Sequence, residues 1–262
     1  MKPPTGRRPK PRLLEVVRVE PLSKNMIRVI VAGRDLEDWP EGQDGGNIKL
    51  LLPEPGWTRD EFKAIIENGP RPTVRTYTAR RYDSENNELW IDFVVHDGGG
   101  PACEWAVSAQ PGSLIGVAGP SGVKLTTTQA DWFLVCADMS AMPAAEAALE
   151  SIPFGAKGHI VFEVQSENDK RKIDHPPGMQ VHWLIHADSH KPSQQQIELV
   201  QSFDWAQGRA AIFVAGESGV IRAFRHWLVK ERQLPKEDLY ISGYWKIGLI
   251  EDEHQAEKRN NL

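Results

Sequence analysis

From residue 13 to residue 120 the apolar positions recur every second residue, in short runs separated by turn formers. Alternation of this kind sends successive side chains to opposite faces of a strand. LLEVVRV (13–19) and NMIRVIV (25–31) read as two strands around a polar turn, and NIKLLLP (47–53) as a third. The excursion 56–72 carries one short helical stretch, DEFKAII. TVRTYTARRY (73–82) is rich in β-branched and aromatic residues and reads as one strand, with Arg75, Tyr77 and Ala79 on a common face. ELWIDFVVH (88–96) follows, with Leu89, Ile91, Phe93 and Val95 on one side and Trp90, Asp92, Val94 and His96 on the other. GSLIGVAGP (112–120) closes the series. Six such strands joined by turns predict an antiparallel barrel or sandwich.

The pattern changes after TTTQ (126–129). DWFLVCAD (131–138) is continuously apolar, as suits a strand buried on both faces. HIVFEVQ (159–165), VHWLIHAD (181–188), AAIFVAGE (210–217) and DLYISGYW (238–245) are further strands. PAAEAALESI (143–152), SQQQIELVQSF (193–203) and SGVIRAFRHWLVKERQ (218–233) have helical periodicity, the last with Val220, Phe224, Trp227 and Leu228 on one side. Strands alternating with helices predict an α/β layer on a parallel sheet. The expected division is a basic, Pro-rich flexible arm (1–12), a β-domain (13–127), an α/β domain (128–247) and a polar, helical tail (248–262).

Composition narrows the function classes. A net charge of −5 over 262 residues argues against nucleic acid as the main partner. Two cysteines make neither a disulfide framework nor a zinc site, and the N-terminus has no apolar signal core, so a reducing cytoplasm is expected. No apolar run has the length of a membrane span. A monomer is expected.

The candidate chemistry lies in a few short stretches. In R-x-Y-T, the Arg75 guanidinium suits a phosphate, the Tyr77 ring can stack on a planar group, and Thr78 can reach a polar edge beside it. Alone, the pattern is also that of an ordinary strand with a solvent-facing arginine. HDGGGPACEWA (96–106) runs strand, glycines, proline, helix. Gly99 and Gly100 let a ligand approach the backbone, and a helix opening at Pro101 and Ala102 offers free N–H groups to an anion; a plain glycine-rich turn would look similar. CADMSAMPAA (136–145) and VAGESGVIR (214–222) sit at carboxyl ends of α/β strands, where nucleotides bind in open sheets, so Asp138, Gly216 and Glu217 are candidates for a nicotinamide nucleotide. Neither loop has the G-x-G-x-x-G fingerprint. In SENDKRK (166–172), Glu167 could bind a ribose and Lys170 or Arg171 a 2′-phosphate, which leaves NADH and NADPH both open. His182, His186 and His190 are four residues apart, but they start in a strand rather than a helix, so no metal site is expected.

Taken in order, RPTVRTYTARRYD, IDFVVH-DGGGPACEWA, GSLIGVAGPSG and YISGYWKIGLIEDEHQAEK resemble the siderophore-interacting protein family of the ferredoxin–NADP reductase superfamily, over about residues 12–258. The resemblance implies a six-stranded antiparallel FAD-binding barrel followed by an α/β NAD(P)H-binding domain. The implied reaction passes electrons from NADH or NADPH through FAD to Fe(III) in a siderophore. It implies FAD contacts from Arg75, Tyr77, Thr78, Asp92, His96, Gly99, Gly100, Pro101, Ala102, Ser140 and Trp245, and a basic substrate cluster that Lys49, Lys124 and Lys246 fit best. Where the family shows D-E-T-A-L-P, this chain has D-M-S-A-M-P (138–143), with Met139 in place of the acid. The rival readings are a flavin reductase or ferredoxin-coupled reductase with another acceptor, and a siderophore carrier without turnover.

Overall fold

The computed structural model describes residues 10–70, 72–96, 98–122, 127–249 and 253. The chain divides into two compact units. One comprises residues 1–20 and 27–123, the other 21–26 and 124–262.

The first unit contains a seven-stranded sheet. Its strands are β1 (Arg12–Ser23), β2 (Met26–Ala32), β3 (Asn47–Leu51), β4 (Val74–Thr78), β5 (Arg81–Asp83), β6 (Glu88–Val94) and β7 (Leu114–Ser121), in the order β4-β3-β7-β1-β2-β6-β5. The count differs from six because the run 73–82 is two strands. Ala79 exchanges backbone bonds with Gly45 and Gly46 beside β3, whereas the Arg80 N–H donates to Trp90 O on β6. At this corner the chain leaves one partner and takes the other. Because β4 and β5 are the two ends of the sheet order, their continuity in sequence closes the sheet on itself, which leaves fewer unpaired edges. The inward positions fill the barrel with Leu14, Val29, Val31, Ile48, Leu50, Leu89, Ile91, Phe93, Ile115 and Val117. Burying each such side chain contributes roughly 1.5–3 kcal/mol.

Two charged side chains are buried on the other face of β2 and β6, opposite the barrel core. Arg28 on β2 donates Nε to Asp92 Oδ1 at 2.6 Å and a terminal nitrogen to Oδ2 at 2.8 Å, and its guanidinium lies over the Trp90 ring. The Asp92 side chain has 0% exposure. Both Asp92 oxygens serve this buried ion pair. Arg12 is not part of a flexible arm. It opens β1, is buried, and donates to Asp35 O, Asp38 Oδ1 and Gly119 O. Residues 1–9 of the expected arm lie outside the described residues, as does most of the expected tail.

Two helices belong to this unit. α1 (Arg59–Asn68) starts at Thr58 in a capping box with Glu61. α2 (Pro101–Ser108) has Pro101 at its first position and Gly100 as N-cap.

The second unit holds a five-stranded parallel sheet of β8 (Trp132–Asp138), β9 (Lys157–Val164), β10 (Gly178–Ile185), β11 (Ala210–Glu217) and β12 (Leu239–Trp245), in the order β10-β9-β8-β11-β12. β8 and β11 have almost no polar side chain before their carboxyl ends because both faces are covered. α3 (Met142–Ser151), α4 (Gln195–Ser202) and α5 (Ser218–Arg225) do the covering, and α5 widens into a π-helical turn over His226–Glu231. The order reverses direction between β8 and β11. That is the topological switch point, where the loops on either side diverge and leave a crevice at the carboxyl edge.

The segment Pro21–Met26 between β1 and β2 belongs to this second unit. Asp169, 1% exposed, accepts hydrogen bonds from Ser23 Oγ, Asn25 N and Asn25 Nδ2 at 2.8–2.9 Å, and from Ser166 N and Oγ. Burial opposes ionisation of its carboxyl, but the bonds from Asn25, Ser23 and Ser166 outweigh it and hold the group below the usual range.

Candidate functional site

In the first unit, the candidate residues gather around β4, β6 and α2. Tyr77 pairs across the ladder with Ile48 and Arg75 with Leu50, so both share the side of the sheet that packs on the barrel core. The half-buried Tyr77 ring lies 4.5 Å from Phe93 on β6, and Phe93 lies 5.9 Å from Trp105 on α2. This aromatic column fixes Tyr77 from one side and ties its strand to the glycine-led helix. Arg75 donates to the Val74 carbonyl, and Thr78 is buried.

The first turn of α2 is prepared for an anion. Its N-cap is Gly100, with no side-chain cap for the terminal N–H groups. A Cβ built on Gly100 would meet nothing within 4 Å, so a ligand has room at the backbone itself. Gly99 differs in kind: a Cβ there would lie 2.5 Å from Cys103 Sγ, so it is a packing glycine that lets α2 sit against its own loop. Ala102 is buried, while Pro101 and His96 are exposed. An uncapped helix start, a column-supported tyrosine and an arginine two residues before it fit a cofactor that has both a pyrophosphate and a flat ring system.

In the second unit, Asp138 at the end of β8 organises the switch point. Its Oδ1 accepts from Ser140 N at 3.0 Å, Ser140 Oγ at 2.5 Å and Ala141 N at 3.2 Å. Its Oδ2 accepts from Glu217 N at 2.9 Å and from the Trp245 indole Nε1 at 2.7 Å. One carboxylate thus joins the ends of β8, β11 and β12. Burial pushes the Asp138 carboxyl up, against the pull of Ser140, Trp245 and the Ala141 and Glu217 amides. Gly216 has φ 150°, and a Cβ on it would come within 2.5 Å of Asp138 Oδ2. Only glycine lets the two strand ends close on the carboxylate.

Glu217 is committed in the same way. Its Oε2 caps α5 by accepting from Gly219 N and Val220 N, and Oε1 accepts from Ile247 N at 3.3 Å. The anion position at the start of α5 is therefore filled from within the chain. Sequence reasoning expected the 214–222 loop to receive a nucleotide; the structure gives Asp138 and Glu217 the task of shaping the crevice. Ser140 gives its hydroxyl to Asp138, and Met139 beside it is buried. Trp245 is half-buried and held at both ends, since Ser218 Oγ donates to its carbonyl at 2.8 Å. The hydroxyls of Tyr240 and Tyr244 lie 3.4 Å apart, and burial pushes both phenols above the usual range.

The expected nucleotide discriminators are paired off within the chain. Lys170 contacts Glu167 at 2.7 Å, and Arg171 bonds to the buried Glu146 of α3. Of the three expected substrate lysines, Lys49 donates to Thr76 across the β3–β4 ladder, on the side opposite Tyr77, and Lys246 is half-buried just beyond β12. Lys124 lies outside the described residues. Both cysteines are free thiols and buried, and burial pushes Cys136 well above the ordinary thiol range, which removes it as a nucleophile. No helix among the described residues is long and apolar enough to cross a membrane.

Comparison with known proteins gives matches along nearly the whole chain. Residues 15–124 match the model of the siderophore-interacting FAD-binding domain, and residues 130–248 match that of the siderophore-interacting protein. A protein named ferric vibriobactin reductase ViuB, from Vibrio cholerae, is 38% identical over 95% of this chain and 94% of its own. The NADPH-dependent ferric-chelate reductase of Escherichia coli is 31% identical over 89% of this chain and 92% of its own. The crystal structure of the siderophore-interacting protein SipS from Aeromonas hydrophila superimposes with a TM-score of 0.82, at 26% identity, covering 96% of this chain and 98% of the other.

Proposed function

The chain belongs to the siderophore-interacting protein family, and from that premise we propose that it is a flavin-dependent reductase. It takes electrons from a reduced nicotinamide nucleotide and delivers them to Fe(III) bound by a siderophore, which releases Fe(II). The observation that carries the reading is the FAD-binding domain match over the same β-barrel in which the α2 start and the Tyr77–Phe93–Trp105 column fit a flavin and its pyrophosphate. Bound FAD supplies a carrier that accepts two electrons as hydride and gives them up singly.

The chain's own residues do the holding and orienting. Arg75 offers a forked donor to a phosphate, Gly99, Gly100, Pro101 and Ala102 present the start of α2, and Tyr77 supplies a stacking face, with Thr78 next to it. In the second unit Asp138 sets Glu217, Ser140 and the Trp245 indole, and Gly216 lets the strand ends close on that carboxylate at the switch point. Electron transfer to iron requires no general acid, and the carboxylates Asp138 and Glu217 are engaged in holding the switch point together. Iron is cargo here, and Fe(II) leaves because hard oxygen chelators hold it weakly. We place the protein in the cytoplasm, where nicotinamide donors are supplied, working as a monomer, with a ferredoxin as a further candidate partner.

An absorption spectrum tests the reading. The purified protein should be yellow, bleach with NADH or NADPH under nitrogen, and recover its colour with ferric siderophore. A colourless protein that takes up no FAD would refute it. Arg75→Ala should weaken FAD binding roughly ten- to a hundredfold, since a charge-assisted hydrogen bond contributes about 1.5–3 kcal/mol. Full flavin retention in this variant would remove Arg75 from the site.

Lys49, Lys124 and Lys246 are our candidates for cations that attract anionic ferric catecholates. Lys246→Ala should raise KM for such a chelate several-fold and leave a neutral hydroxamate nearly unaffected. The difference should shrink in high salt, as the Debye length falls from about 10 Å at 0.1 M to about 3 Å at 1 M. Equal KM changes for charged and neutral chelates would exclude an electrostatic role.

A further inference from the structure

The opposite, amino-terminal edge of the parallel sheet carries a second feature. His159 near the start of β9 and His182 on β10 approach with Nδ1 and Nε2 3.1 Å apart. The parallel register sets His159 beside Gln180, so His182 is two residues further along on the same face. Both rings rest on Phe203 just after α4: His159 stacks on it at 4.1 Å and 20°, and His182 lies at 5.0 Å. Strand and aromatic floor together hold the two imidazoles in place without any helix. On the His159 side is a cleft of about 230 Å³, lined by His159, Phe203, Trp205, Gln180 and the exposed Asp204, and open enough for water.

We propose that His159 and His182 form a two-imidazole site for a first-row divalent metal ion, with water from the cleft filling the other positions. Two nitrogens bound to one ion at about 2.0–2.1 Å, with a right to tetrahedral angle between them, lie about 2.8–3.4 Å apart. The observed 3.1 Å falls in that interval. Imidazole selects borderline ions such as zinc, nickel, copper and ferrous iron over calcium and magnesium. No group of three or more His, Cys, Asp or Glu side chains among the described residues is arranged for a metal, so the site would exchange its ion readily. Ferrous iron, the product of the proposed reaction, is in the accepted class, but the site does not depend on that reaction.

Calorimetric titration of metal-stripped full-length protein with zinc chloride tests this, with anaerobic ferrous sulfate as a second probe. One zinc should bind per chain. His159→Gln and His182→Gln should each weaken it at least tenfold, with melting temperatures checked to confirm folding. His186→Gln, whose imidazole bonds to the Lys191 carbonyl instead, should leave binding within twofold of the parent. Binding that survives in both His159→Gln and His182→Gln, or that falls equally in His186→Gln, would overturn the proposal. So would the absence of stoichiometric zinc binding, leaving the pair as a plain imidazole–imidazole hydrogen bond.

Discussion

Replacing Arg28 with methionine should destabilise the protein by about 3–5 kcal/mol, because it strands the buried Asp92 carboxylate without a cation. Asp92 has no exposed side-chain surface and receives both its charged hydrogen bonds from Arg28, so water cannot substitute. Urea unfolding with intrinsic fluorescence reads the loss, and Trp90, under the guanidinium, should report the change directly. The double variant Arg28→Met with Asp92→Leu should recover much of the stability, since a buried pair replaced by apolar groups of similar volume is close to neutral. If the double variant were no more stable than Arg28→Met alone, the carboxylate would not be the source of the cost. The same double variant should retain flavin, which separates the structural role of Asp92 from the contact expected of it in sequence.

Asp138→Ala should have the second large effect. Five donors lose their acceptor at once, two of them at the ends of other strands. A buried group left unsatisfied costs about 1–3 kcal/mol, and water entering the space left by the carboxylate would offset part of the total. The expected signature is a fall of at least tenfold in kcat/KM for the nicotinamide donor, with FAD content unchanged. Asp138→Asn should fall between. Its amide oxygen can still accept from the Ser140 and Ala141 side, but its NH2 would face the Glu217 N–H and the Trp245 indole N–H, donor against donor. Stopped-flow reduction of the flavin by NADPH measures the effect. An unchanged reduction rate in Asp138→Ala would refute the organising role.

Much of this arrangement was legible from local pattern. The strand runs of both halves, the helix at Pro101 and the switch from antiparallel to parallel sheet follow from periodicities that neighbouring residues set. The features that escaped are those made by partners distant in sequence. Arg28 and Asp92 are 64 residues apart, and nothing near Asp92 marks it as half of an ion pair. The division of 73–82 into two strands was hidden because β-propensity runs unbroken through Ala79 and Arg80, whereas the change of partner is a tertiary event. Spacing drew attention to His182, His186 and His190, yet the side chain that meets His182 is His159 on the neighbouring strand. Glu217 was the most readable of the missed roles. An acidic residue just before an S-G-V helix start is a cap signal.

The Asp169 clamp means that the α/β half is not a single stretch of sequence. A fragment beginning at residue 124 would leave Ser23 and Asn25 behind and take three of the five donors away from a buried carboxylate. Cutting the protein at residue 124 would therefore damage the α/β piece as well as the barrel. The clamp also has an acid limit. A carboxyl held below its ordinary range adds stability above the unfolded-state value and loses that contribution as pH falls through the lowered one. The same short hairpin tip thus decides both where the molecule can be divided and how far it can be acidified before that junction weakens.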